Sequence, residues 1–450
     1  MHERPDPTSD LLGWLDGKPD ITAITAAVCD LNGQWRGKRV TRAGFSKVLT
    51  DGLRMPLSAA GVDVWGRDAP ASGMVFETGD ADGVACVTGR GPISSGGEAF
   101  LPLWLFRDDG TPFPADPRQA LALIVDRYRV AGLTPVVATE LEFYLVDASG
   151  GAPAPPPDPS AGDRLAYEGI LSVDELDTVN GFLGDVYSAC AAQGIPADTA
   201  ISECGCGQFE VNLLHCDDAL RAGDDAVLFK RLVRQAARRH GLAATFMAKP
   251  YGDRSGSGLH VHMSVLDEAG DNVFDDGSEA GSDALRHAVA GLIAAMPESM
   301  LVFAPHLNSY RRFAPGTHAP TAAAWGYENR TAAIRIPGGP GVARRIEHRV
   351  AGADANPYLV LAAILGAALD GIAHGQAPPD PIEGNAYAHD LTRLPTEWGA
   401  AVDAFENGER AAGLFDPTLR AMFVAAKRQE IAEFAGRVTP FEHRTYLHGI

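Results

Sequence analysis

Basic residues are scarce in this 450-residue chain: 38 Lys and Arg face 58 Asp and Glu, a formal charge of −20. Nucleic acid and anionic membrane surfaces are gripped through basic patches, so both are poor candidates as partners. Long apolar runs are also missing, and none approaches the ~20 residues of a membrane-crossing helix. The opening stretch MHERPDPTSDLLGWLDGKPD has no basic segment leading into an apolar one, which points away from a secretory signal and towards a cytoplasmic protein. The six cysteines form no CxxC pair and no dense framework, the usage expected of reduced thiols. The run ECGC…HC at 203–216 is poorly spaced for structural zinc. No GxxxxGK(S/T) motif occurs, so a nucleotide bound here is not held by a P-loop.

With 46% hydrophobic and 21% charged residues, the chain is long enough to bury a core in two domains. Up to about residue 111 it reads as short strands and turns, with Asn32-Gly33 as a hairpin signal and EAFLPLWLF as a further strand. Beyond it, amphipathic helices alternate with strands, beginning with a helix from Asp116 to Ala131 that stops at Gly132. The division is therefore 1–111 and 112–450, with the proline-rich 148–163 as a surface loop inside the second domain. Further helices are expected at 217–240, 283–296 and 356–375.

Several strands share an unusual pattern. In ARRIEHRV, Arg345, Glu347 and Arg349 fall at every second position and so leave one face. ATELEFYLV does the same with Glu140 and Glu142, and SGLHVHMSV with His260 and His262. ECGCGQFEVNLL carries Glu203 in a glycine-rich turn, then Glu210 and Asn212 alternating; NRTAAIRIPGG offers Arg330 and Arg335. Any one of these fits a strand with a solvated face. Together they do not, because such faces favour Lys, Thr and Ser, whereas Glu and His recur here opposite strongly apolar faces.

Gathered in one cavity, the carboxylates Glu140, Glu142, Glu203, Glu210 and Glu347 would repel at several kcal/mol per unpaired ion unless counter-charges separate them. About two or three divalent cations among them do this, and hard oxygen ligands with imidazoles suit Mg²⁺ or Mn²⁺. A polyphosphate and a carboxylate substrate would then meet Arg312, Arg330, Arg335, Arg345 and Arg349. Cations at one end and guanidiniums at the other fit phosphoryl transfer, which is mostly positioning and charge neutralisation.

The segments ELEFYLVD, GQFEVN, KPYGDRSGSGLHVHMSV, NSYRRFAPG, NRTAAIRIP and RRIEHRVAGADANPYLVLAAIL follow the order and spacing of the glutamine synthetase superfamily. Over essentially its whole length the chain resembles that superfamily, and within it most closely the γ-glutamylputrescine synthetase branch. The resemblance implies an α+β fold: a small N-terminal β-grasp-like domain, then a catalytic domain with a curved antiparallel sheet forming a half-barrel flanked by helices. It implies a homo-oligomer, a dodecamer of two stacked hexameric rings with active sites between neighbours. It also implies site roles. Glu142, Glu203 and Glu210 would hold one metal, and Glu140, His260 and Glu347 another. His262, Ser264 and Arg345 match ATP-contacting positions; Arg312, Arg330 and Arg349 surround glutamate and the transferred phosphate. Arg335 matches the phosphate-stabilising arginine and Gly256 a glutamate-loop glycine.

The implied reaction has two steps. ATP phosphorylates the γ-carboxylate of glutamate, and an amine then displaces phosphate to leave a γ-glutamyl amide. Three departures bear on the amine. Glutamine synthetases proper carry PGYEAP where this chain has PGTHAP with His318, they carry FDGSSI where this chain has LRMPLSAAGVDVWG, and their NGSGMH loop is RSGSGLH here, with Ser255 for Asn. The ammonium pocket is thus not reproduced, so the expected nucleophile is a larger primary amine such as putrescine. The alternatives are ammonium itself or a monoamine such as ethanolamine. His318 either accepts the amine's proton or merely lines the pocket. A non-catalytic sensor would have lost metal ligands that are intact here, and a metal-dependent hydrolase would not need five arginines. Tyr387 lacks the surroundings of an adenylylation site.

Overall fold

The computed structural model describes residues 8–77, 82–95, 98–158, 163–166, 169–314, 316–317 and 319–450. Its first sheet contains β1 (Ala23–Cys29), β2 (Trp35–Thr41), β3 (Leu53–Pro56), β4 (Asp82–Val87), β5 (Ile93–Ser95) and β6 (Glu98–Arg107). They lie in the order β2-β1-β6-β4-β3, with β5 against β6. β1 and β6 run parallel and the other pairs antiparallel. The expected hairpin joins β1 to β2, and the buried carboxylate of Asp30 closes it by accepting from Asn32 N at 2.9 Å and Gln34 N at 2.8 Å.

The second sheet holds β7 (Thr134–Val146), β8 (Ala197–Ser202), β9 (Gln208–Cys216), β10 (Ala243–Thr245), β11 (Leu259–Leu266), β12 (Trp325–Tyr327), β13 (Ile334–Ile336) and β14 (Ile346–His348). Their order is β12-β13-β14-β11-β7-β9-β8, with β10 on β7. Every pair is antiparallel except β12–β13, which is parallel. The alternation in β7, β9 and β11 sends Leu141, Phe143, Phe209, Val211, Val261 and Met263 into the core, each at most 1% exposed. The polar residues are left on the opposite face.

Helices cover the apolar side. Pro117–Val130 starts as its sequence indicates, with the Asp116 carboxylate accepting from Arg118 N at 2.8 Å and proline in the first turn. Despite the sequence's expected lack of such a run, Pro357–His374 is apolar and long enough to cross a membrane, yet 78% of it is buried, as suits a central core helix. It packs against Asp283–Ala295 through glycines. A Cβ on Gly371 would lie 2.1 Å from the His287 carbonyl, and one on Gly291 would lie 2.1 Å from that of Ala367. At the start of this helix, Asn356 caps Tyr358 N at 3.0 Å and donates to Asp30 O at 2.9 Å, tying it to the β1–β2 hairpin. One continuous core includes residues from both sheets and these helices.

The structure alters two expectations. NRTAAIRIPGG and ARRIEHRV each yield only three strand residues, so Arg345 and Arg349 flank β14 instead of lying within it. Arg330 is off the strand altogether, in the turn between β12 and β13.

Candidate active site

Strand register assembles the site. On β7, Glu140 faces His260 of β11 on one side and Asn212 of β9 on the other. Two residues further along, Glu142 faces Glu210. His262 of β11 faces Glu347 of β14, which in turn faces Arg335 of β13. A period of two on each strand places all of these on the sheet's polar face.

Glu140 is the hub. Its Oε1 accepts from Asn212 Nδ2 at 3.0 Å and lies 2.9 Å from His262 Nε2, while its Oε2 is 3.2 Å from His260 Nδ1. Glu142 accepts from Gly258 N at 2.7 Å and from Gln208 Nε2 at 3.3 Å. Glu347, 1% exposed, takes Arg335 Nη1 on one oxygen at 2.8 Å and Arg349 Nη1 on the other. Arg345 Nε donates to His262 Nδ1 at 3.2 Å.

The electrostatics separate these carboxyls. Burial alone would raise Glu140, but the hydrogen bonds from His260 and His262 hold it well below the usual range. Burial acts likewise on Glu347, yet Arg349, His260 and His262 bring it down to about 2. At Glu203, just past β8, burial and then the charge of Glu142 outweigh the Cys204 amide and the more distant Arg349 and push the carboxyl up. Glu210 is pushed up furthest, by burial and by Glu140, Glu142, Glu203 and Glu347. The protein's own cations thus satisfy one part of the cluster and leave another in excess of negative charge.

That excess is the chemistry a divalent cation answers. Two sets present ligand atoms within 4.8 Å of one another: Glu140, Glu210 and His260, and Glu140, His262 and Glu347. The residues therefore fit a hard cation, but they group otherwise than the sequence suggests. Glu140 is shared by both sets, and His262, expected on the ATP side, stands among possible ligands. Glu142 and Glu203 adjoin them without completing a set.

Beside this cluster a cavity of about 380 Å³ is lined by Glu140, Asn212, His262, Ser264, Ala343 and Arg345, so the three residues expected near ATP share one wall. On the other side, Arg312 is buried and donates to the carbonyls of Val350 at 2.8 Å and Arg349 at 3.4 Å. A Cβ on Gly256 would lie 2.8 Å from Arg312 Cγ and 2.6 Å from the Ala248 carbonyl, so only glycine lets this arginine stem pass. Arg330 is exposed and lines a separate cavity of about 550 Å³ with Tyr327 and Glu328; among the described residues no contact joins it to the cluster around Glu140. His318 lies outside the described residues.

Three contacts went unassigned in the sequence. Asn212 was legible by its alternation with Glu210. Gln208 was legible only once β9 was paired. Glu328 gave no signal at all, although its Oε2 accepts from Arg335 Nη2 at 2.8 Å.

The chain matches the family described as glutamine synthetase, catalytic domain, over residues 114–446. It is 38% identical over 443 residues to the gamma-glutamylputrescine synthetase PuuA of Escherichia coli (strain K12), covering 97% of this chain and 93% of that protein. To the gamma-glutamylethanolamide synthetase GlnA4 of Streptomyces coelicolor it is 34% identical over 443 residues, covering 94% and 92%. A solved GmaS/ADP complex superposes with a TM-score of 0.86 at 30% identity, covering 97% of this chain and 99% of that one. The chain belongs to the glutamine synthetase family.

Proposed function

We propose that this chain joins the γ-carboxylate of glutamate to a primary amine larger than ammonium, through a γ-glutamyl phosphate. It is an ATP-dependent glutamate–amine ligase by its family and relatives; the amine's size is the finer reading. The observation that carries it is the single polar sheet face on which carboxylates, imidazoles and arginines converge. The loop PGTHAP supports the larger amine, as do relatives named for putrescine and ethanolamide products.

Glu140, Glu142, Glu203, Glu210, His260 and Glu347 would hold about two or three Mg²⁺ or Mn²⁺ ions. When bound, such cations neutralise the polyphosphate and the charge that develops during transfer. His262, Ser264 and Arg345 line the nucleotide cavity, and Arg335 meets the transferred phosphoryl group. Arg312 and Arg349, with Gly256 shaping the loop, hold glutamate; a part for Arg330 beside them rests on the resemblance alone. A γ-carboxylate oxygen attacks the terminal phosphorus as the bond to ADP breaks. The amine nitrogen then attacks the activated carbonyl, His318 takes its proton, and the C–O bond breaks to release phosphate.

The first sheet would form a β-grasp-like domain over 1–111 and the second a half-barrel in 112–450; the strand series ending at Arg107 and the helix starting at Pro117 support that boundary. A stacked-ring dodecamer is the assembly the resemblance implies, and the exposed apolar Phe441 and Leu447 are surface that a neighbouring subunit would cover. Its place would be the cytoplasm, where ATP and glutamate are abundant.

The test is kcat/KM for putrescine, longer polyamines, ethanolamine and ammonium at saturating ATP and glutamate. An organic amine is expected to exceed ammonium by roughly 100-fold, the scale that one or more buried methylenes supply. Ammonium as the best nucleophile contradicts the larger-amine reading.

Cation binding should also depend on pH. Glu203 and Glu210, pushed above the ordinary range, hold protons near neutrality that a cation must displace. Affinity for Mn²⁺ is therefore expected to rise from pH 6 to pH 8, by up to about tenfold per pH unit for each proton displaced. Calorimetric titration of the metal-free protein at both pH values checks this; equal affinities would contradict it.

A further inference from the structure

We propose that Glu328 is a positioning residue that holds Arg335 for phosphoryl transfer. The inference rests on Arg335 being the arginine that meets the transferred phosphate. Among the described residues only Leu171 and Glu328 combine a side chain with a positive φ, and Glu328 stands at +51°. Such a conformation costs on the order of 1–3 kcal/mol and persists where its surroundings fix it, most often at functional sites. Here the surroundings are plain. Glu328 N donates to Ile336 O at 3.0 Å, its Oε1 accepts from Gly338 N, and its Oε2 accepts from Arg335 Nη2 at 2.8 Å.

The other arm of the same guanidinium, Nη1, donates to Glu347 Oε2 at 2.8 Å. Arg335 is thus stretched between a side chain 2% exposed and one 58% exposed. The two holds are not equivalent. Glu347 also takes Arg349 and belongs with Glu140 and His262 in a set able to bind a cation. Any cation drawn to Glu347 competes with the arginines for its carboxylate. Glu328 lies outside those sets, so its grip survives when Glu347 turns to another partner. The two holds use two of the guanidinium's five N–H groups, so a fork fixed at two points keeps donors for an anionic ligand. Without Glu328 the guanidinium keeps its charge but loses its fixed plane.

Two variants separate positioning from mere support of the turn. Glu328→Gln keeps an acceptor and removes the charge; Glu328→Gly removes the carboxylate and also relieves the positive φ. Both are expected to lower kcat, by roughly 10- to 100-fold as for other residues that orient a catalytic group, with KM for glutamate and amine within about twofold. The thermal midpoint of Glu328→Gly is expected at or above that of the wild type. A glycine variant within about twofold of wild-type kcat overturns the proposal, and so does one whose lost activity follows a lowered midpoint. A wild-type protein that forms no γ-glutamyl amide with any amine overturns the functional reading itself; an active wild type with an indifferent Glu328→Gly overturns only the positioning role.

Discussion

Glu210→Gln is expected to make the metal-free protein more heat-stable while lowering kcat by about 10³. Glu210 is 5% exposed, and burial together with the charges of Glu140, Glu142, Glu203 and Glu347 pushes its carboxyl up. A carboxyl whose folded value is raised contributes stability below its unfolded value, ~4.3, and loses that contribution as pH rises towards the folded value. Glutamine fills nearly the same volume and carries no such burden. Its advantage should therefore be absent near pH 4 and grow towards pH 8. Bound cations reverse the order, because they stabilise the folded wild type by mass action and bind the variant less well. The loss in rate follows from weakening a cation worth several kcal/mol to the transition state, at 1.36 kcal/mol per tenfold. Thermal melts with and without Mg²⁺, paired with kcat, check both halves. A variant that melts lower without metal, or keeps its rate, contradicts the assignment.

Arg335→Gln is expected to lower kcat by about 10³ or more with little change in KM for glutamate, the effect of removing an arginine that acts on the transferred phosphoryl group. Arg335→Lys should recover no more than about tenfold of that loss. A lysine ammonium is a single point charge and cannot donate through two separate arms to Glu347 and Glu328, which the guanidinium meets at 2.8 Å each. The variant should fold, since Glu347 retains Arg349. Steady-state kinetics separates the outcomes: a change carried by KM for glutamate alone would move Arg335 from phosphoryl transfer to substrate binding.

These expectations could be framed early because β7 and β11 announce themselves. Each alternates acidic or imidazole residues against a largely apolar face, a pattern that strand geometry enforces locally. Register is different. That His260 faces Glu140, and that His262 meets Glu347, depends on pairing between segments far apart in the chain. The carboxylates were thus identifiable one by one, but not the way register groups them, with His262 lying both beside Glu140 and Glu347 and on the wall of the cavity shared with Ser264 and Arg345. β13 and β14 are three residues each because neighbouring strands define them more than their own propensity, which is why Arg330 was placed on a strand it leaves. Glu328 had no local signature: its contact with Arg335 follows from the parallel pairing of β12 with β13 and from a positive φ at a glutamate. The glycine contact between the helices Asp283–Ala295 and Pro357–His374 was likewise invisible until the helices were paired.

Oxygen tracing tests the central claim most directly. Glutamate labelled with ¹⁸O in its γ-carboxylate is incubated with the protein, ATP, Mg²⁺ and putrescine, and the phosphate released is examined by mass spectrometry. Attack by that carboxylate on the terminal phosphorus, followed by amine displacement, transfers one labelled oxygen to each phosphate as γ-glutamylputrescine forms. Unlabelled phosphate released while ATP is consumed would mean that water attacks the nucleotide, and the cluster around Glu140 would then serve a hydrolase.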